Sequence, residues 1–204
     1  MNKKRLIIFV STLIIVDQVV KILVKTSMTL DQSITVFPEW FFIRFIENPG
    51  AAFGIAFGGS TGKLILSLFR IFAVGLIIWF LRQMLRNGTP SGVIAGFGLI
   101  LAGAMGNILD SMYFGLIFSE STYTTVATIF PPGGGYAGFL HGHVVDMLYF
   151  PLFHGNYPSW LPFIGGNPFT FFSPIFNFAD SYINIGIFYM VIFHRKYFTG
   201  SNHQ

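Results

Sequence analysis

The chain has 204 residues, of which 53% are hydrophobic and only 10% charged, with 26 phenylalanines and no cysteine. That balance excludes an ordinary soluble globular domain, and the missing cysteine excludes disulfides, thiolate metal ligands and a cysteine nucleophile. The net charge of +4 is carried by basic residues scattered along the chain and gathered at the ends of apolar runs, which points to orientation in a membrane rather than to nucleic acid.

Four apolar runs are long enough to cross a bilayer, which takes about 20 helical residues. They lie at roughly 6–24, 64–85, 93–109 and 175–193. Lys3, Lys4 and Arg5 precede the first run in the manner of a signal peptide, but its length and the polar residues Asp17, Gln18 and Lys21 predict a retained helix. Lys3 to Arg5, Arg82, Arg86, Arg195 and Lys196 fall on one side of a four-span arrangement, so both termini are expected in the cytoplasm. Lys25 and Lys63 fall on the other side.

Between the first two runs, Ser33 to Ile46 is rich in β-branched and aromatic residues and interrupted by Pro38, which predicts a short sheet or hairpin. Trp40 and its phenylalanine neighbours suit the headgroup region. The segment from Ser111 to Pro174 is long, aromatic and broken by Pro131-Pro-Gly-Gly-Gly and Gly165-Gly-Asn-Pro, and an interfacial cap or lid is expected there. The expected fold class is therefore an all-α integral membrane protein. A single domain over 1–204 would hold four transmembrane helices and a small β-rich extracytoplasmic element at the membrane surface.

Asp146 and Asp180 carry the chemistry. Each sits in apolar, aromatic sequence, where a carboxylate is costly unless it is used. Two carboxyls brought together in a poorly solvated site do not both ionise, so one becomes an acid and the other a base able to activate water. They are remote in sequence, and only the fold can join them. The competing structural reading is that each caps a helix or pairs with a base. Taken singly, either aspartate fits that reading.

The surroundings add a resemblance. Asp17-Gln-Val-Val-Lys21, Glu47-Asn-Pro-Gly-Ala-Ala-Phe-Gly54, Gly106-Asn-Ile-Leu-Asp110, Val144-Val-Asp146 and Phe176-Asn-Phe-Ala-Asp180, in that order, resemble the bacterial lipoprotein signal peptidases. The resemblance implies a membrane aspartic endopeptidase of the bacterial inner membrane, with its site near the extracytoplasmic face. It would cut just before a diacylglyceryl-modified cysteine. It makes Asp146 and Asp180 the catalytic pair, and the implied partners are a lipidated prolipoprotein and membrane lipids, with no cofactor, no nucleic acid and a monomeric enzyme.

Other residues carry over with supporting roles. Asn48 can present an amide to substrate backbone and Gly50 permits a close turn beside it, the alternative being an ordinary loop. Asn107 and Asn177 are expected to support the carboxyls by hydrogen bonding. Asp17 and Lys21, four apart, are expected to neutralise each other, while Gly103 lets helices approach and Asp110 is structural. Two departures from the family pattern stand out: Ser111 replaces the usual arginine after Asp110, leaving Arg70 as a candidate cation for Asp110, and the stretch from Asp110 to Asp146 is long.

Rival chemistries are weaker. His141, His143 and Asp146, with His154 nearby, have spacing that a metal site on a turn or strand can use, but hydrogen bonding around Asp146 is the preferred reading and no metal is expected. A proton-coupled transporter would spread Asp17, Asp110 and Asp180 across the membrane depth. A silent lipoprotein receptor would tolerate loss of either aspartate.

Overall fold

The computed structural model describes residues 1–49, 59–171 and 174–198. Helix α1 (Lys3–Ser27) is capped by Asn2, whose side chain accepts from the Arg5 backbone N–H. After α1 come strands β1 (Ser33–Phe37) and β2 (Phe41–Asn48), then helices α2 (Gly59–Arg86) and α3 (Ser91–Leu109). Three segments, Lys3–Ser27, Thr61–Arg86 and Ser91–Ile117, are long and apolar enough to cross a membrane, among the described residues. Helix α5 (Phe178–Phe193) is apolar but has only 16 residues. The run expected from 175 begins as strand β6 (Ile175–Phe176), and the helix starts only after Asn177. A strand ladder claims the first residues of that run because Ile175 and Phe176 pair with β3 (Val144–Tyr149).

Helix α3 is the hub, packed against α1, α2 and α5. Its small residues allow this: a Cβ on Gly103 would stand 2.1 Å from the Ala179 carbonyl oxygen of α5, so only glycine permits that approach. Leu6 and Val10 from α1, Leu81 and Met84 from α2, Val93, Ile94, Leu101 and Ala102 from α3 and Tyr182 from α5 form one core. Opposite faces carry exposed apolar side chains such as Ile15, Leu23, Phe69, Phe72, Phe188 and Val191. That inversion fits a lipid surround.

The β-rich element is larger than the expected hairpin, and the all-α label does not describe it. One antiparallel sheet has the order β1-β2-β3-β6, and β4 (Phe153–Asn156) pairs with β5 (Pro168–Phe171) in a second hairpin. The sheet draws in residues on both sides of the long second connection, which sequence periodicity alone does not join. Trp40 stacks on Phe37 at 5.1 Å, Phe41 on Phe150 at 4.5 Å and Phe150 on Phe176 at 5.8 Å. This stack ties the hairpin to the residue before Asn177.

Part of the long connection belongs to a core, while Pro132, Gly133, Trp160 and Phe163 stay exposed. After α3 the chain makes a π turn (Asp110–Phe114) and a short helix α4 (Gly115–Ile117), and then packs beneath the sheet. Phe114, Phe118 and Ala127 are buried with Val24, Met28, Phe45, Val145 and Met147 in a second core. The Leu30 N–H donates to Thr122 O at 2.9 Å. A short helix α6 (Arg195–Phe198) ends the described chain.

Candidate active site

Asp180 lies in the first turn of α5, and its capping role is real: Asn177 Oδ1 accepts from the Asp180 N–H at 2.9 Å, and the Asn177 N–H donates to Asp180 Oδ2 at 3.4 Å. This is a capping box, whose reciprocal bonds satisfy two otherwise unpaired N–H groups. The structural reading of Asp180 is therefore correct as far as it goes. It does not use up the carboxylate, because Asp180 Oδ1 also accepts from Asn107 Nδ2 at 2.8 Å and the residue remains half-buried, open on one side.

Asp146 lies in the middle of β3, opposite Ile46 of β2. Side chains alternate along a strand, so Asp146 shares a face with Asn48, its diagonal neighbour. Asn48 Nδ2 donates to Asp146 Oδ2 at 3.4 Å and Asn177 Nδ2 to Oδ1 at 2.7 Å. Asn177 thus touches both aspartates, one through its amide and the other through its backbone. Asn107 closes the arrangement, since its Oδ1 accepts from Asn177 Nδ2 at 3.1 Å.

Burial, followed by the negative charge of Asp180, pushes the Asp146 carboxyl up to about 7, although the Asn177 and Asn48 amides pull the other way. Desolvation and a like charge both penalise the ionised form. Asp146 is therefore poised to hold a proton near neutrality beside a partner carboxyl.

Behind the pair sits a fully buried ionic cluster. Lys21 Nζ lies 3.0 Å from Asp17 Oδ2, 2.8 Å from Asp110 Oδ2 and 3.0 Å from Asn107 Oδ1. Asp17 Oδ1 accepts the backbone N–H of Ala179 at 2.9 Å, while Asp110 Oδ2 accepts that of Val145 at 3.2 Å. Ala179 precedes Asp180 and Val145 precedes Asp146. Each buried carboxylate therefore holds the backbone just before one aspartate of the pair, and one lysine joins both.

The expected Asp17–Lys21 pair is present, with Asp110 as an addition. Lys21 is Asp110's cation, whereas Arg70, among the described residues, reaches Ser111, with Nη1 3.4 Å from Oγ. Gln18, given no role by the sequence, donates to Asp110 Oδ1 at 2.8 Å and to Gly106 O at 3.1 Å. Gly50 lies outside the described residues. Asp17, Asp110 and Asp180 gather at one end of the bundle with Asp146, contrary to a relay distributed through the membrane.

The two histidines beside Asp146 have other hydrogen-bond partners. His141 Nδ1 lies 2.8 Å from Phe139 O and His143 Nδ1 lies 3.3 Å from Glu47 Oε2. Among the described residues no group of three His, Cys, Asp or Glu residues is arranged to hold a metal, and the side chain of His154 lies outside the described set. His143 belongs instead to a second polar cluster on the other face of the sheet. There Glu47 pairs with Lys25 and accepts from Ser121 at 2.8 Å, and Tyr136 Oη accepts the His143 N–H at 2.6 Å. Burial alone would raise Glu47, but the His143 hydrogen bond and the Lys25 charge outweigh it and hold its carboxyl below the ordinary value. Sequence reading missed this cluster, although Lys25 recurs four positions after Lys21 on the face of α1 that carries Asp17.

Paired carboxyls braced by amides at the sheet end of an apolar helix bundle place the protein among membrane aspartic peptidases. Comparison with known proteins narrows the class. A family model described as signal peptidase (SPase) II matches residues 9–195. A lipoprotein signal peptidase of Porphyromonas gingivalis is 52% identical over 88% of this chain and 78% of its own length. One from Amoebophilus asiaticus is 35% identical over 88% and 72%, and one from Chlorobaculum tepidum 34% over 82% and 79%. A solved bacterial membrane enzyme superposes with a TM-score of 0.60 at 25% identity, covering 93% of this chain and 92% of its own. The chain belongs to the signal peptidase II family, aspartic peptidases that remove signal peptides from prolipoproteins.

Proposed function

We propose that Asp146 and Asp180 are the catalytic pair and that the substrate is a prolipoprotein whose cysteine carries a diacylglyceryl group, cut immediately before that cysteine. The observation that carries this reading is the shared bracing of both carboxyls by Asn177 and Asn107. Asp146 supplies the acid and Asp180 the base. Asp180 takes a proton from water as its oxygen attacks the scissile carbonyl carbon, and Asp146 protonates the carbonyl oxygen, giving a neutral gem-diol. Asp180 then passes its proton to the amide nitrogen, and Asp146 recovers one from a diol hydroxyl as the C–N bond breaks. The products are a signal peptide ending in a carboxyl group and a new amino terminus on the lipidated cysteine. Carboxyls and water suffice, and no cofactor enters.

In this reading α1, α2, α3 and α5 all cross the bacterial inner membrane, with both termini in the cytoplasm and the sheet on the outer side. Helix α5 spans about 24 Å at 1.5 Å per residue, short of the ~30 Å hydrocarbon core. Its N-terminal cap and Asp180 then sit at or just inside the outer boundary, where water meets lipid. Acyl chains stay in the bilayer and contribute about 0.8 kcal/mol per buried CH₂ to substrate capture. Asn48 on the site face of β2 supports Asp146 and lies where substrate backbone would enter, and the enzyme works as a monomer.

The test is cleavage of a lipidated precursor by the purified protein, with and without Asp146→Asn or Asp180→Asn and with a metal chelator. Either substitution is expected to abolish turnover while leaving the thermal melt in place, and the chelator to do nothing. Full activity in either variant refutes the pair.

A further inference from the structure

Arg70 and Lys63 stand about two turns apart on one face of α2. Arg70 makes one hydrogen bond among the described residues, the 3.4 Å contact to Ser111 Oγ. Yet the carboxylates of Asp180, Asp110 and Asp146 all act on its charge. A guanidinium carries five N–H donors in a fixed fork, so most of that capacity meets no protein acceptor there. Lys63 is the more costly case: its Nζ is buried with no hydrogen-bond partner among the described residues. The charges acting on it are Arg70, which repels it, and Glu47, which attracts it. Two cations on one helix face with a single acceptor between them among the described residues are a poor way to stabilise a fold.

A structural explanation is available for Arg70 alone, as a counter-charge to the carboxylates across the site. It leaves the buried Lys63 ammonium unexplained, and it does not require a fork. The opposite face of the same helix is apolar: Ile65, Leu68, Phe69 and Phe72 are all more than half exposed and face lipid in a membrane, so Lys63 and Arg70 face inward. An acceptor for these donors is therefore expected within the site itself, where Arg70 reaches Ser111 at the end of α3. A transmembrane signal helix satisfies its own carbonyls. The glyceryl esters of the substrate do not, and they hang from the cysteine next to the bond that is cut.

We propose that Arg70, assisted by Lys63, is a specificity determinant that donates hydrogen bonds to the ester carbonyl oxygens of the substrate's diacylglyceryl group. The inference rests on the proposed substrate and adds to it which chemical feature of the lipid the enzyme reads. Acyl chains give affinity through burial, and the α2 cations fix the glyceryl group so that the peptide bond meets Asp146 and Asp180. Lys63 and Arg70 stand in no hydrogen bond with either catalytic carboxyl, so their effect appears in substrate choice.

The test compares two synthetic prolipoprotein peptides in neutral detergent, one with an S-diacylglyceryl cysteine and one with its dialkyl ether analogue, which lacks only the carbonyls. Wild-type enzyme is expected to prefer the ester by about tenfold in kcat/KM, mostly through KM, because donors left without acceptors penalise the ether. Arg70→Gln and Arg70→Lys should both bring the ratio close to one, since an ammonium does not reproduce the fork. Lys63→Gln should reduce it about threefold. Equal use of both peptides by the wild type, a preference that survives Arg70→Gln, or full restoration by Arg70→Lys each overturns the proposal. Should Arg70→Gln lose its thermal melt, Lys63→Gln and the wild-type ratio decide the matter. Failure of the wild type to cleave the ester peptide counts instead against the catalytic reading.

Discussion

Replacing Lys21 with methionine removes the one cation from a cluster in which Asp17, Lys21 and Asp110 are all fully buried. The substitution breaks the ion pairs with Asp17 at 3.0 Å and Asp110 at 2.8 Å, and the 3.0 Å hydrogen bond to Asn107. Methionine fills most of the volume, so the cost is electrostatic: two carboxylates remain in a water-excluded site without a counter-charge. Breaking a buried pair from one side costs about 3–5 kcal/mol. Asp110→Asn perturbs the same place differently. It leaves Asp17 and Lys21 as a neutral pair and keeps an oxygen for the Val145 N–H, so it should cost about 1–2 kcal/mol, the scale of one weakened buried hydrogen bond. In a protein of this size each kcal/mol moves the melt by about 2–4 °C. Lys21→Met should therefore lower the melting temperature in detergent by about 6–20 °C, and Asp110→Asn by only a few degrees. Equal shifts for the two variants, or a destabilisation of less than about 1 kcal/mol for Lys21→Met, would refute the view that the lysine bridges the two carboxylates as their shared counter-charge.

Two further outcomes follow from the site and its surroundings. Asp146 sits at about 7 and acts protonated, so kcat should fall as pH rises through about 7; Asn48→Ala, which removes a hydrogen bond favouring the ionised form, should move that limb to higher pH, and an unmoved limb in a pH-rate profile counts against Asp146 as the acid. Deleting residues 122–135 takes Ala127 out of the second core and the Thr122 carbonyl away from Leu30. The protein should then melt lower or fail to fold, whereas a stable protein with altered substrate choice would make the segment a cover over the site and not part of its core.

The helices and the pair of aspartates were legible because their signals are local. Apolar runs are read from composition, and Asp146 and Asp180 stand out where charge is scarce. Asn177 three positions before Asp180 was readable as a support, but its amide reaches Asp146 as well, a contact that depends on β6 bringing the start of α5 beside β3. Lys21 as the partner of Asp110 was equally hidden. The i, i+4 spacing to Asp17 is a sequence fact, while the approach of α1 to the end of α3 is a packing fact. The long connection was legible only in part: its proline and glycine tracts suggest an exposed cap, but nothing in their spacing reveals that Phe118 and Ala127 fill the space under a sheet built from other segments. Gly103 was legible in kind, a small residue where helices meet, but its partner, the Ala179 carbonyl beside Asp180, was not.

The tethers that run from Asp17 to the Ala179 N–H and from Asp110 to the Val145 N–H make the two aspartates dependent on different helices. Asp180 is placed by α1, and Asp146 by the end of α3. Neither anchor touches the aspartate it positions, and both require Lys21. A shift of α1 against the end of α3 is therefore passed to the backbone ahead of both aspartates at once, through Lys21.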